Sequence, residues 1–386
     1  MLAFLLSVLL STSVSSVLSS AFVPPTATLI RTTSYNVGDE PWQHYNQSEF
    51  TFDAALVDHF NLSSHTTYRQ RYFTVDQFAH NASSPVLFLL CGEYTCPGVN
   101  PARLFPLQLA YEFGAYVVAI EHRYYGSSYP TEPTADKLGL LNSRQALNDF
   151  AWFQHFYQTS VLNAQPGTKG NNRWFVIGGS YPGALSAWYR LKYPHLVVGS
   201  IASSAVVEAV LEFPEFDAQV ERSAGPVCAA ALRNITALVE AAMPGVENQF
   251  GCPANINDGD FLFMIADSAV EGVQYGYRVT LCDYVVPYYL RLVEASSKAA
   301  TTQSSRLHSS VVGAVSDAVV SASVRSAEFD LLQAFVNYTN NIFFGEQGNS
   351  CEGYDRRHWM DTSKGNADRS WGWQSHTHTH LHYHLT

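Results

Sequence analysis

The sequence predicts an α/β fold, a mostly parallel sheet flanked by helices, with a long helical insertion late in the chain. Two observations carry this. Val86–Leu90, Tyr116–Ile120 and Trp174–Ile177 are short apolar runs with the β-branched and aromatic content of strands buried on both faces. Helical stretches separate them, and strands alternating with helices make a parallel sheet.

The elements follow in order. Pro106–Phe113 precedes the second strand and Ser143–Tyr157 precedes the third. Ala184–Tyr193 follows the third strand and must stop at Pro194, which cannot continue a helix. Gly199–Ala205 reads as a fourth strand. After about Val207 the pattern changes, and Phe216 to Phe343 carries apolar residues at helical spacing. Within its Ala/Ser-rich piece, Val311, Val315 and Val319 recur every fourth residue, which favours helix over linker. The expected layout is a leader over 1–21, a sheet core over 22–207, a helical cap over 208–365 and a return to the core over 366–386.

Composition excludes some functions. The chain has 386 residues, is 47% hydrophobic and only 14% charged, so a large core is expected rather than disorder. A net charge of -11 argues against a nucleic-acid partner, which would require a basic surface. Leu2–Leu10 followed by Ser19-Ser20-Ala21 reads as a secretory leader, and the serines after Leu10 break the run well short of the ~20 apolar residues of a membrane span. Asn46, Asn61, Asn81, Asn234 and Asn337 each begin an Asn-X-Ser/Thr glycosylation acceptor. Six cysteines fit an oxidising compartment. Cys91 and Cys96 are candidates to close a small loop, and Cys252 and Cys282 to staple the insertion, among fifteen pairings that six cysteines allow. No cofactor or resident metal is expected.

The chemistry concentrates in Trp174-Phe-Val-Ile-Gly-Gly-Ser180-Tyr-Pro-Gly-Ala-Leu185. A buried strand runs into small residues, a serine, small residues again and a helix. This is the setting in which a serine stands on a tight strand-to-helix turn as a nucleophile. The helix start offers amide hydrogens and a positive dipole end to a developing oxyanion. Pro182 stands where the usual second glycine of G-x-S-x-G would be, and Gly183 supplies small size one residue later.

Gly178–Trp188 resembles the active-serine motif of the serine carboxypeptidase family that contains prolyl carboxypeptidase, dipeptidyl peptidase II and thymus-specific serine protease. Glu121-His-Arg-Tyr-Tyr-Gly126 resembles its second signature, and Lys192-Tyr-Pro-His-Leu196 and Ala202-Ser-Ser-Ala205 fit as well. Leu90-Cys-Gly-Glu93 follows the style of the thymus-specific branch. The resemblance runs from about Phe50 to Gln374. It implies an α/β-hydrolase fold and a serine peptidase acting near peptide termini and near proline, as a carboxypeptidase or a dipeptidyl peptidase. Peptides are then the partners, a homodimer is left open, and the compartment is extracellular or lysosomal/vacuolar.

Carried over by residue, Ser180 is the nucleophile and the Tyr181 amide one oxyanion donor. A second donor is expected from the loop near Gly92 and Glu93. The Glu93 carboxylate has two readings, contact with a substrate's free amino group or a salt bridge within its loop. Glu121, His122 and Arg123 are expected to form a buried paired network rather than a catalytic set, since isolated buried charges are expensive.

The resemblance also implies an Asp and a His on later strands, in the order Ser, Asp, His. No such segments are recognised here, so the sheet's last strands and both partners are expected to be missing and turnover to be poor. Asp283 and His358 have the right order but lie within the insertion or a polar stretch. The alternative function is an inactive hydrolase-fold binding protein. The alternating His376, His378, His380, His382 and His384 would share one face of an extended strand. They read as a non-homologous end rather than a metal site.

Overall fold

A computed structural model describes residues 26–208, 210, 213–306 and 313–381, and the side chains of these residues apart from 302–306, 313–321 and 376–381. The leader over 1–21 and the histidines at 382 and 384 lie outside the described residues. Two compact units emerge, the first running through Glu208 and including Ser363–Gln374, the second covering Ala209–Thr362.

The first unit is built on seven strands: β1 (Ala27–Asn36), β2 (His44–Leu56), β3 (Thr67–Val75), β4 (Val86–Leu90), β5 (Tyr116–Ile120), β6 (Trp174–Gly179) and β7 (Gly199–Ser203). Their order is β1-β2-β3-β5-β4-β6-β7. β5, β4, β6 and β7 are mutually parallel, whereas β1, β2 and β3 add to β5 as antiparallel neighbours. The α/β class is therefore observed, in a mixed sheet.

β4 lies between β5 and β6, with Val86 opposite both Tyr116 and Trp174. Alternate side chains leave on opposite faces. Val86, Phe88 and Leu90 join Phe150, Phe153, Leu185 and Tyr189 on one side, while Leu87 joins Leu107, Ala110, Val117 and Ile177 on the other. Both faces are covered, which is why these strands read as unbroken apolar runs. The covering helices are α1 (Phe105–Phe113), α2 (Ser143–Phe156) and α3 (Tyr181–Lys192). Asn142 starts α2 by accepting a hydrogen bond from the Gln145 amide, which satisfies one of the free donors of a helix start.

The second unit is helical: α4 (Pro214–Ala224), α5 (Pro226–Ala242), α6 (Asp258–Gln274), α7 (Arg278–Arg306), α8 (Gly313–Tyr338), α9 (Cys351–Tyr354) and α10 (Arg356–Met360). It has its own core, centred on Phe250, Phe261, Leu331, Phe335 and Phe343. Cys91 bonds Cys96, Cys228 bonds Cys282, and Cys252 bonds Cys351. The expected pairing of Cys252 with Cys282 is thus corrected. Cys282 sits on α7 facing Cys228 of α5, and Cys252 follows Phe250 toward the start of α9.

The return segment opens α11 (Ala367–Leu381). The backbone is helical through residue 381, so residues 376, 378 and 380 do not form the extended strand considered above. Among the described residues no helix is long and apolar enough to cross a membrane, and no His, Cys, Asp and Glu group could hold a metal ion.

Arg123, just after β5, is the most heavily bonded side chain of the first unit. Its guanidinium grips Asp149 of α2 through Nε (2.6 Å) and Nη2 (2.7 Å). Its remaining donors reach the carbonyls of Val57, Leu140 and Leu56. All five N–H groups are thereby used, which a buried guanidinium requires. Asp149 also accepts from Tyr68 Oη and pairs with His59.

Replacing Arg123 by Met should cost about 3–5 kcal/mol, because it leaves Asp149 buried without its partner. Arg123→Met/Asp149→Leu should recover part of that loss, read by chemical denaturation. Burial alone would raise the Asp149 carboxyl, but the charge and hydrogen bonds of Arg123 and the bond with His59 hold it below the usual range. A depressed carboxyl stabilises the fold above the unfolded value of ~3.9 and loses that contribution as pH falls through the folded value. Acid unfolding of the wild type should therefore steepen below about pH 4, and this component should vanish in the double variant.

Candidate active site

β6 ends at Gly179 and α3 begins at Tyr181, leaving Ser180 as the single residue of the turn. Its backbone stands at φ 61° and ψ -129°, a conformation that side-chain-bearing residues rarely adopt and that costs roughly 1–3 kcal/mol. The turn is held from both sides. Ser180 N–H donates to the Ser203 carbonyl of β7 (2.9 Å), and the Ser180 carbonyl accepts from the Ala184 amide (3.0 Å). The side chain is exposed, and its hydroxyl makes no hydrogen bond to any described residue.

Close backbone contact explains the glycines. A Cβ on Gly178 would lie 2.0 Å from the Pro182 carbonyl oxygen, and one on Gly183 would lie 2.6 Å from that of Ser203. A Cβ on Gly179 would meet the Ser203 carbonyl oxygen only at 3.9 Å. The small residues that matter are therefore two before and three after the serine. Pro182 at the intervening position packs outward against the loop after β4, where a Cβ on Gly92 would come within 2.4 Å of its ring. Gly92 thus packs against Pro182, two residues after Ser180.

As the first residue of α3, Tyr181 has an N–H with no acceptor inside its helix, and the positive end of the helix dipole lies there. Its ring is buried. His122 Nδ1 donates to the Arg123 carbonyl (2.8 Å), which leaves Nε2 to accept from Tyr181 Oη (3.0 Å). Ser143 Oγ lies 3.2 Å from the same phenol oxygen, and the Trp371 ring stands 5.6 Å from the Tyr181 ring. Burial pushes the Tyr181 phenol well up, so it stays protonated.

The loop bearing Gly92 and Glu93 is closed by the Cys91–Cys96 disulfide. Its end is tied to Glu121, whose Oε1 accepts from the Cys96 amide (3.0 Å) and from Arg71, while Oε2 accepts from Ser127 N–H and Ser128 Oγ. Glu121, His122 and Arg123 thus each have structural partners. Glu93 differs: its Oε2 is closed off from solvent and has no hydrogen-bond partner among the described residues. The salt bridge considered for it within its loop is not formed by that oxygen. Burial raises its carboxyl, against a smaller opposing pull from its own amide.

Two contributions escaped the sequence reading. Ser143, at the first turn of α2, gave no signal beyond a helix start. The segment Ser363–Gln374 joins the first unit, where Tyr125 Oη donates to Gln374 Oε1 (2.9 Å) and Ser370 Oγ to the Tyr124 carbonyl (3.2 Å). Asp283 and His358, the pair with the right order, stand within helices α7 and α10 of the second unit rather than at strand ends.

Gly178→Ala and Gly183→Ala should each lower the melting temperature by several degrees or abolish folding, since backbone atoms must move. Gly179→Ala should melt within about two degrees of the wild type. Equal effects at all three positions would contradict this packing.

Residues 55–258 match the serine carboxypeptidase S28 family. "Probable serine protease EDA2" of Arabidopsis thaliana is 40% identical over 275 residues, 69% of this chain and 54% of its own length. The human thymus-specific serine protease is 36% identical across 50% of this chain and 37% of its own. The mouse lysosomal Pro-X carboxypeptidase is 35% identical across 46% and 37%. This chain spans about half or less of the length of these relatives. With the matched stretch covering β4 to β7, the Ser180 turn and the Glu121–Arg123 network, the chain belongs to the serine carboxypeptidase S28 family.

Proposed function

We propose that the protein is a serine-type peptidase in which Ser180 forms the acyl-enzyme. The observation that carries this is the exposed Ser180 hydroxyl, held in a strained turn between β6 and the start of α3. Strain of that kind persists only where surrounding contacts enforce it, and a nucleophile elbow is where it has a use. Ser180 Oγ, giving its proton to a general base, would add to a peptide carbonyl carbon, and the carbonyl oxygen would take the negative charge. The Tyr181 amide and an amide of the Gly92–Glu93 loop are assigned as its donors, and Glu93 as a substrate contact. The amine leaves with a proton from a general base acting as acid, and water then hydrolyses the ester. Ser180 Oγ contacts no general base among the described residues, so the Asp and His of the relay are not assigned here.

An exopeptidase acting near proline is the finer reading, supported by the relative whose name specifies Pro-X bonds. A secretory route, ending outside the cell or in a lysosomal or vacuolar compartment, agrees with the chemistry. The chain has three disulfides and no free cysteine, and Asn46, Asn61, Asn81, Asn234 and Asn337 are all exposed.

A fluorophosphonate should label the purified chain at one site, and Ser180→Ala should remove the label entirely. Persistent labelling elsewhere would displace Ser180 from its role. A folded chain that never labels would favour the alternative, a hydrolase-fold protein that binds peptides without cleaving them.

A further inference from the structure

We propose that the second unit seats an N-linked glycan, carried on Asn234, in the groove between α5, α7 and α8. This rests on the secretory route proposed above, since only a chain on that route meets the machinery that transfers such sugars. Three observations carry it. First, an open groove of about 410 Å³ runs between these helices, a size typical of ligand sites. Asn234 of α5, the acceptor of the Asn-Ile-Thr triplet, is itself one of the residues that line it. Second, the walls combine the two kinds of surface that a sugar needs. Tyr289, Leu292 and Val293 of α7 offer apolar surface to the C–H face of a pyranose ring. Ser296 of α7 and Glu328 of α8 offer a hydroxyl and a carboxylate to its hydroxyl and acetamido groups. Third, the acceptor is held in place. Asn234 Nδ2 donates to the Ala230 carbonyl one turn earlier (2.9 Å), and Thr236 Oγ1 donates to that of Leu232 (3.2 Å).

Glycosylation replaces one of the two hydrogens of the Asn234 amide and leaves the other for the Ala230 carbonyl. The sugar then starts at the rim of the groove with its anchor already ordered. A free disaccharide would have to surrender translational and rotational freedom to enter so open a site. A sugar attached at the rim has surrendered most of it, and a short tether supplies an effective concentration on the order of millimolar. Weak stacking and a few hydrogen bonds then suffice. Val293 is 42% exposed, and a glycan over it removes apolar surface from water while turning hydroxyls outward. The groove thus fits this chain's own sugar better than one carried by another molecule.

The test uses the full chain secreted from a glycosylating eukaryotic host. Peptide mass spectrometry should find Asn234 occupied. Peptide-N-glycosidase acting on the folded chain should release that glycan about tenfold more slowly than glycans on Asn46, Asn61, Asn81 or Asn337, because a seated sugar must leave the groove to be cut. Val293→Arg, which fills the groove from an exposed position, should bring release at Asn234 to the common rate. Tyr289→Ala should do the same, but Tyr289 also packs against the core of the second unit, so Val293→Arg decides. Asn234→Gln should lower the melting temperature of the glycosylated chain by about 2–4 °C and leave that of the sugar-free chain unchanged.

A bare Asn234 in a chain glycosylated elsewhere would overturn the seat and leave the secretory route standing. No glycan at any acceptor would overturn both. Release from Asn234 at the common rate, or slow release that survives Val293→Arg, would overturn the seat as well. Binding of free diacetylchitobiose to the Asn234→Gln chain more tightly than about 1 mM would overturn the assignment of the groove to the chain's own glycan.

Discussion

The ion pair between Arg123 and Asp149 is the constraint on which the site depends. A guanidinium and a carboxylate, both withdrawn from water, must satisfy every donor and acceptor. Doing so joins the end of β5 to α2, to the close of β2 through the Leu56 and Val57 carbonyls, and to the Leu140 carbonyl. The Arg123 carbonyl then fixes His122 Nδ1, and His122 Nε2 fixes the Tyr181 phenol. Tyr181 is the residue beside Ser180. A chain of bonds therefore runs from a buried ion pair to Tyr181, whose amide is proposed as an oxyanion donor. The Glu-His-Arg run is conspicuous in sequence because three adjacent residues hold three different parts of one arrangement.

Much of this was legible in the residues. β4, β5 and β6 were found because both faces are buried, so apolar character runs unbroken. The Ser180 turn was found because strand, small residues and helix meet there in order. β1, β2 and β3 were missed for a physical reason. The inward side of β2 carries Gln47 and Glu49, polar residues whose burial depends on partners distant in sequence. Gln47 bonds the Pro97 carbonyl and the Val99 amide, and Glu49 pairs with Arg31 and Arg71. No pattern of hydrophobic alternation can reveal a strand whose buried face is hydrogen-bonded. The Cys91–Cys96 pairing, local in sequence, was legible, whereas Cys252 with Cys282 failed because Cys228 and Cys351 become neighbours of Cys282 and Cys252 only once the helices have packed.

The broken glycine pattern around Ser180 carries its own lesson. Spacing alone suggested that Gly183 substitutes for the position held by Pro182. The contacts divide the work differently. Gly183 is small because β7 passes at the Ser203 carbonyl, and Gly178 because the first turn of α3 folds back over it. The position between them faces the β4 loop, where a proline ring fits provided Gly92 has no side chain. A substitution in the motif is thus answered by a glycine about ninety residues away, outside any local reading.

That answer bears on how the site could stabilise charge. Donors aimed at a developing oxyanion are effective only if they do not have to reorganise when it forms. Loops are usually the mobile parts of a fold, yet the loop carrying Gly92 and Glu93 is fastened at three points. The Cys91–Cys96 bond closes it, the buried Glu121 carboxylate and Arg71 hold the backbone at Cys96, and the Pro182 ring packs against Gly92. On the other side, Tyr181 is fixed by His122 and Ser143. With both segments fastened, donors on either side of the Ser180 turn would need little reorganisation as charge forms.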